Sequence, residues 1–329
     1  VRGGIARVKG FGGAARIGAR VVLGDAGRVG EIVALDFEGA SVLPERGLAG
    51  LALGQRVVII NDHHVIQPSL AWLGRVVDAD GKSMDGMPLP MGTHPVAVRS
   101  APPPAISRQR LGARVDTGYA VFNTFLPLVQ GQRIGLFAGS GVGKSRLLAG
   151  LAQRVQADVT VIAMIGERGR ELRQFIEDTL GSEGMKSAVV VAATSDDAPS
   201  RRYRAALTAM AVAEFYRDQG KHVLFLMDSV TRFAEAFREV QSGVGLGNQA
   251  RGFPAATAHE IMALCERAGP GTQGSGTITG IFSVLVAGSD MEEPVADILR
   301  GVLDGHVILD REIAERGRVP AVALFRSVS

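Results

Sequence analysis

A glycine-rich turn that closes on a Lys-Ser pair sets strict limits on how this chain can fold locally. The turn follows the apolar run 133–138 and precedes a stretch with helical spacing that begins near Lys144. Gly139, Gly141 and Gly143 can adopt backbone angles closed to residues with a Cβ, so that several N–H groups can point at one anion. The positive end of the following helix adds to this attraction. We therefore predict a phosphate-binding loop between a strand and a helix.

The residue types in the turn predict how a nucleoside triphosphate and its metal would be held. Lys144 would reach the β- and γ-phosphates, and the Ser145 hydroxyl would ligate a Mg²⁺ that keeps most of its waters. The usual pattern opens with glycine, whereas Ala138 stands at that position here. A chance glycine hinge and a dinucleotide-binding turn are both disfavoured, because neither accounts for the Lys-Ser pair at this spacing. The predicted nucleotide-binding residues are Gly139, Ser140, Gly141, Val142, Gly143, Lys144, Ser145 and Arg146.

Two acidic residues that end other apolar runs are candidates for the chemistry. Asp228 ends the run 222–228 and would orient Mg²⁺ through water, although an Asp in this position can also cap the next helix. Glu167 follows a strand-like run and is our candidate for the base that positions and polarises an attacking water. Glu167 and Glu171 could instead only stabilise the first turn of the next helix, and the sequence alone leaves this open.

The composition is that of an ordinary globular protein. The 329 residues, 46% of them apolar, leave room for one large or two moderate domains. Cys265 is the sole cysteine, which excludes a disulfide framework and suits a reducing compartment. The net charge of +3 is too small to indicate nucleic acid, and the arginines within 108–114 and 201–204 form short runs of a kind that usually faces solvent. Without a membrane-length apolar run or a signal-peptide layout, we expect a cytosolic protein, at most peripheral to a membrane.

The pattern of the chain changes near residue 95. Before it, short β-branched runs separated by glycine predict a small closed or sandwiched β domain, and prolines between 88 and 104 predict an extended connection. After it, alternating strands and helices predict an α/β domain with a mainly parallel sheet and a ligand at the carboxyl ends of its strands. Strands are expected at 133–138, 159–165, 188–193, 222–227, 278–287 and 305–309, and helices at 145–156, 169–180, 200–218, 230–241 and 294–303.

With these residues in place, the chain resembles the flagellum-specific ATPases of bacterial type III export, relatives of the rotary ATP synthase catalytic subunit. The resemblance implies a β-barrel domain over 1–95, a RecA-like ATPase domain over 96–329, and a C-terminal helical domain that these residues do not include. It further implies hydrolysis of MgATP at the subunit interfaces of a homohexamer. It rests on the segments 131–145, 165–171, 215–220, 227–234, 290–297 and 303–306.

The resemblance also implies roles for single residues and a set of partners. Glu167 is the implied catalytic carboxylate, Arg168 lies beside the γ-phosphate, and Arg232 matches a family arginine near the active site. The implied catalytic residues are thus Lys144, Glu167, Arg168 and Arg232, and the implied metal ligands are Ser145 and Asp228. The implied partners are the stator and stalk proteins of the export apparatus, export substrates and their chaperones, and no nucleic acid. The protein is expected to associate peripherally with the export gate at the inner membrane.

The chain departs from the family pattern in several places. The glycine-rich segment 242–252 replaces a proline-rich loop, and Val319 replaces an aromatic residue that packs on adenine, which removes roughly 1 kcal/mol of stacking. Relatives continue beyond the position of Ser329 with an arginine that reaches into a neighbouring subunit's site, and Val1 stands within an apparent strand. We therefore expect further residues before Val1 and after Ser329. Since an arginine finger contributes about 10³- to 10⁵-fold in rate, we expect these 329 residues to bind MgATP but to hydrolyse it poorly.

Other functions remain open at this point. A virulence type III secretion ATPase or a rotary ATP synthase catalytic subunit would share the same segments. A non-catalytic subunit that binds nucleotide to hold a ring together is disfavoured by Glu167. An RNA-tracking hexameric helicase is disfavoured because aromatic residues make up only 5% of the chain and the first hundred residues lack interleaved basic and aromatic side chains.

Overall fold

A five-stranded antiparallel sheet forms the N-terminal part of the protein. The computed structural model describes residues 4–45, 47–61, 64–243, 253, 255–286, 291 and 293–329. The sheet has the order β1-β4-β3-β2-β5. Its strands are β1 (Ala6–Val8), β2 (Arg20–Leu23), β3 (Arg28–Asp36), β4 (Gly39–Pro44) and β5 (Val57–Asn61). Val21, Ile32 and Val42 lie in a small separate core beneath it, because alternate residues of a strand share one face. The predicted N-terminal β domain is confirmed.

Short elements connect this sheet to the rest of the chain. The strand Val76–Val77 pairs in parallel with a strand of the large sheet, so hydrogen bonding already ties this segment to the second half of the protein. The domain boundary that we place at residue 95 stays a prediction. The connecting elements are β6 (Val65–Ile66), β7 (Val76–Val77), β8 (Val96–Ala97), β9 (Arg114–Val115), β10 (Leu128–Val129), α1 (Ala120–Thr124) and the 3₁₀ turns Gly12–Ala14, Leu70–Trp72 and Ala105–Ser107.

The large sheet is parallel apart from one short strand. Its order is β17-β11-β16-β14-β12-β13-β7, and β15 pairs antiparallel with β16. The strands are β11 (Arg133–Ala138), β12 (Val159–Glu167), β13 (Ala188–Thr194), β14 (His222–Asp228), β15 (Gly269–Pro270), β16 (Thr277–Leu285) and β17 (Gly305–Leu309). The helices are α2 (Lys144–Arg154), α3 (Gly169–Gln174), α4 (Gly181–Met185), α5 (Pro199–Asp218), α6 (Val230–Gly243), α7 (Ala255–Arg267), α8 (Pro294–Val302) and α9 (Arg311–Glu315), with a 3₁₀ turn at Leu324–Arg326. All six strands predicted for this half are present; β16 ends at Leu285, and position 287 of its predicted range 278–287 lies outside the described residues.

Helices cover both faces of the large sheet. On β12, Val161 and Ala163 belong to the core shared with α5 to α8, whereas Ile162 and Met164 belong to the core shared with α2 and α3. Because both faces are buried, the strands are continuously apolar and do not alternate. The predicted helix 169–180 is wrong as a single α-helix, since it is α3 followed by a π-helical stretch, Phe175–Leu180.

A buried ion cluster joins the N-terminal sheet to α5. The Arg204 side chain, 5% exposed, lies 3.0 Å from Glu31, 2.8 Å from Glu45 and 2.6 Å from Asp80. Arg201 pairs with Asp78 at 3.1 Å. The interpretation of this arginine run as a solvent-facing surface is therefore wrong for Arg204, whose charge is buried and matched by carboxylates. Isolated charges are too costly to bury, so the cluster fixes how α5 meets the sheet.

Part of the predicted organisation lies outside the described residues. This applies to 244–252 of the glycine-rich segment and to positions 287–290 and 292 near the segment 290–297. None of the helices in the described ranges is both long enough and apolar enough to cross a membrane.

Candidate nucleotide-binding site

The glycine-rich turn joins the end of β11 to the start of α2. Gly143 precedes the helix with φ 89°, and Gly141 has φ 77°. Both values fall in the left-handed region that favours glycine. A Cβ at Gly141 or Gly143 would meet nothing within 4 Å, so backbone angle and not space explains these two glycines. Gly139 lies outside that region of φ, and the prediction of a special backbone angle does not extend to it.

The carboxyl ends of three strands of the large sheet meet around one opening. β11 leads into the turn, β12 ends at Glu167, and β14 ends at Asp228, with Met164 paired to Asp228 across the two adjacent strands. The opening, which we call the P-loop cleft, has a volume of about 1390 Å³. Its lining includes all eight predicted nucleotide-binding residues, 139–146, and the predicted catalytic residues Glu167, Arg168 and Arg232. Asp228, a predicted metal ligand, is not itself part of the lining; it is buried behind it, in contact with the lining residue Lys144.

An ion pair links the lysine of the turn to the acid of β14. Lys144 Nζ lies 2.5 Å from Asp228 Oδ1, and the Asp228 side chain is 2% exposed. The Ser283 hydroxyl donates to the same carboxylate oxygen at 3.0 Å. The pair places a buried carboxylate directly below the amine that is predicted to bind phosphate. A bound phosphate would therefore enter a site where the charges are already arranged.

The donor set fits a magnesium ion that is shared with a nucleotide. Among the described residues, no group of three or more His, Cys, Asp and Glu side chains could hold a metal. Mg²⁺ commonly takes one or two protein oxygens, several waters and the phosphate oxygens of its substrate. Ser145, which lines the cleft, and Asp228, buried behind Lys144, could supply those protein oxygens, directly or through water.

Glu167 has the titration expected of a base that works near neutral pH. Burial, followed by the negative charge of Asp228, raises the pKa of Glu167 to about 7, although Lys144 opposes this rise. A carboxyl group with a pKa close to the working pH is efficient in proton transfer. Glu171, in the first turn of α3, also lines the cleft, and its carboxylate pairs with Arg168 at 3.6 Å. The environment of Glu167 favours a chemical role over helix stabilisation alone.

We expect the raised pKa of Glu167 to make the protein less stable as the pH rises from about 4.5 to about 7. Over this range the unfolded carboxyl ionises while the folded one keeps its proton, so the folded state loses free energy relative to the unfolded state. Glu167→Gln should therefore be more stable than the wild type by about 1 kcal/mol at pH 8, after allowance for partial exposure, and show no gain at pH 4. Urea unfolding at both pH values measures this difference. A gain that is equal at both would contradict it.

Several residues that line the cleft were not predicted from the sequence. Arg311, at the start of α9 and two residues after β17 ends, donates to the backbone oxygen of Ser140 at 3.2 Å and so stabilises the turn. Only the strand order, with β17 beside β11, brings it there. Val319, which replaces the aromatic residue that the resemblance places against adenine, is 63% exposed. The lining residues not predicted are Glu171, Ser195, Arg202, Thr231, Glu235, Glu239, Leu285, Val286, Glu293 and Arg311, together with Gly166.

Comparison with known protein families accounts for this arrangement. The model of the ATP synthase alpha/beta family, nucleotide-binding domain, matches residues 118–329. The chain belongs to the ATP synthase alpha/beta family. Within this family it is 45% identical to the flagellum-specific ATP synthase of Caulobacter vibrioides, with 100% of this chain and 74% of the relative covered. It is 47% identical to that of Rhizobium meliloti, with 92% of this chain and 64% of the relative covered.

Solved structures of similar proteins agree with the fold. The assembled ATPase EscN from the enteropathogenic E. coli type III secretion system superposes with a TM-score of 0.89 at 37% identity, over 99% of this chain and 77% of EscN. EscN in complex with its central stalk EscO gives the same TM-score and identity over 100% and 78%. The predicted resemblance, the RecA-like fold and the assignment to P-loop ATPases are confirmed. The chain spans about two thirds to three quarters of the two curated relatives above.

Proposed function

We propose that this chain hydrolyses ATP to energise type III protein export for flagellar assembly. The observation that carries the proposal is the convergence, in one cleft, of the phosphate-binding turn with its Lys144 and of the Glu167 carboxyl, with Asp228 paired to Lys144 behind the lining. The names of the similar relatives support the flagellar branch of the family.

Each group in the cleft has a task in phosphoryl transfer to water. Backbone N–H groups of the turn and the Lys144 amine bind the phosphates, and the pull of the phosphates on Lys144 loosens its pair with Asp228. Mg²⁺ held by Ser145 and Asp228 would neutralise charge on the phosphates. Glu167 orients the attacking water and takes its proton. Arg168 and Arg232 balance the negative charge that develops on the transferred group.

We infer that the working form is a homohexamer with nucleotide at the subunit interfaces. The Arg168 side chain, 75% exposed at the mouth of the cleft, is open to a neighbouring subunit. EscN, similar over nearly the whole chain, has been solved as an assembled ATPase and with its central stalk. We extend this to partners of the same kind: stalk and stator proteins, export substrates and chaperones, and a peripheral position at the membrane export gate.

Genetic complementation tests the flagellar assignment. In a bacterium made non-motile by deletion of its own flagellar export ATPase gene, the gene for this protein should restore swimming, and the Glu167→Gln variant, expressed to the same level, should not. Restoration of virulence secretion but not of swimming would overturn the flagellar assignment and favour the virulence alternative.

Sedimentation tests the proposed hexamer. Runs with and without MgATP should show larger assemblies with nucleotide, whereas a strict monomer in both conditions would contradict the hexamer.

A further inference from the structure

Arg232, an arginine of α6 that lines the cleft, forms an ion pair with Glu235 of the same helix. Arg232 Nη1 donates to Glu235 Oε2 at 2.9 Å, and the two side chains are 43% and 29% exposed. The residues stand three apart on one helix, where side chains are neighbours. Both line the P-loop cleft. The guanidinium that we assign to the phosphate is thus already held by a carboxylate of the same helix.

The stem of Arg232 packs against the backbone of β12 at Gly166. A Cβ built at Gly166 would lie 3.2 Å from Arg232 Cβ and 3.3 Å from its Cγ, which places the stem against the backbone just before Glu167. The backbone N–H of Arg232 also donates to Ser229 Oγ at 3.3 Å. These contacts hold the start of the side chain close to Glu167, with the guanidinium at its far end.

The pairing with Glu235 leaves part of the guanidinium unsatisfied. Within the described part of the chain, the buried Nε–H of Arg232 has no hydrogen-bond acceptor. Glu235 is bonded through Nη1 alone, whereas carboxylates and phosphates can engage two N–H groups of an arginine at once. A phosphate group, which offers more acceptor oxygens, can therefore displace the Glu235 carboxylate from Arg232.

We propose that Glu235 is a positioning residue that restrains Arg232 and competes with the triphosphate for its guanidinium. The inference rests on the proposed function, because it assumes that a phosphate enters this cleft. Its consequence is that Glu235 lowers the affinity for MgATP by the free energy needed to separate the pair. The effect acts through Arg232 and disappears when the guanidinium is absent.

A neighbouring pair provides the matched control. Glu239, one further turn along α6, pairs with Arg202 at 2.9 Å and also lines the cleft. Glu239→Gln removes the same charge from the same helix without touching Arg232. It therefore separates a specific effect on Arg232 from a general change in the potential of the cleft.

The test measures MgATP binding to Glu235→Gln and Glu239→Gln, each with Arg232 intact and with Arg232→Gln. We expect Glu235→Gln to bind MgATP about 3- to 5-fold more tightly, as for loss of a partly exposed ion pair, and to lower KM more than it changes kcat. With Arg232→Gln the gain should vanish, whereas any effect of Glu239→Gln should be the same in both backgrounds. Thermal unfolding checks that all variants are folded.

Two results would overturn the inference. One is unchanged or weaker MgATP binding by Glu235→Gln; the other is a gain that persists with Arg232→Gln or is matched by Glu239→Gln, which would be a general charge effect. If the wild type bound MgATP as proposed but Glu235→Gln did not differ from it, only this inference would fail. If the wild type bound no MgATP, the proposed function would fail with it.

Discussion

Glu167→Gln is expected to slow the hydrolysis step about 10²- to 10⁴-fold while MgATP still binds. Glutamine keeps the size of the side chain and can still bond to a water, but it cannot take a proton. The pKa of about 7 makes the Glu167 carboxyl the group in the cleft best matched to that transfer. Single-turnover hydrolysis, started from preformed complex with radiolabelled ATP, measures the step separately from product release and from subunit exchange.

Glu177→Gln provides the control for this measurement. Glu177 is an exposed carboxylate paired with Arg173 at 2.8 Å, and it does not belong to the cleft lining. Its variant should hydrolyse ATP at the wild-type rate. If Glu167→Gln also kept the wild-type single-turnover rate, the carboxylate would do no chemistry, and the hypothesis of a structural nucleotide-binding subunit would replace that of an ATPase.

Lys144→Ala is expected to weaken MgATP binding about 30- to 150-fold. The substitution removes the charge-assisted hydrogen bonds to the phosphates, which are worth about 2 to 3 kcal/mol together. It also leaves Asp228, 2% exposed, without its cation, so the variant should be less stable. Equilibrium titration with a fluorescent ATP analogue measures the affinity, and Lys186→Ala, which alters an exposed lysine directly after α4, should bind as the wild type does.

A double variant separates the binding role of Lys144 from its structural role. In Lys144→Ala/Asp228→Asn the buried carboxylate is neutral, so much of the lost stability should return while MgATP affinity stays low. Recovery of affinity together with stability would mean that Lys144 acts on folding alone. In that case phosphate binding would be due to the backbone N–H groups of the turn.

The parts of the fold that depend on local patterns could be predicted from the sequence. The run 133–138 and the turn after it are recognisable because glycine spacing and an apolar strand are both local signals, and β11 has these bounds. The approach of Lys144 to Asp228 is less local, since the residues are 84 positions apart. It could be anticipated only because parallel strands end at the same edge of a sheet.

What the sequence did not reveal depends on contacts between distant elements. The run of arginines at 201–204 resembles a solvated helix face until Glu31, Glu45 and Asp80 are brought beside Arg204 by the packing of a separate sheet. α7 was missed because it follows the glycine-rich segment and its buried face includes Thr257 and Arg267, which blur the apolar period. Arg311 needed the position of β17, which no local pattern specifies.

The ion cluster on α5 has a mechanical consequence. Arg202, which lines the cleft, and Arg204, which grips the N-terminal sheet, are two residues apart in the first turns of one helix. A rigid helix cannot shift at one of these points and stay still at the other. A displacement of α5 at the cleft would therefore also displace the arginine that is paired with the N-terminal sheet.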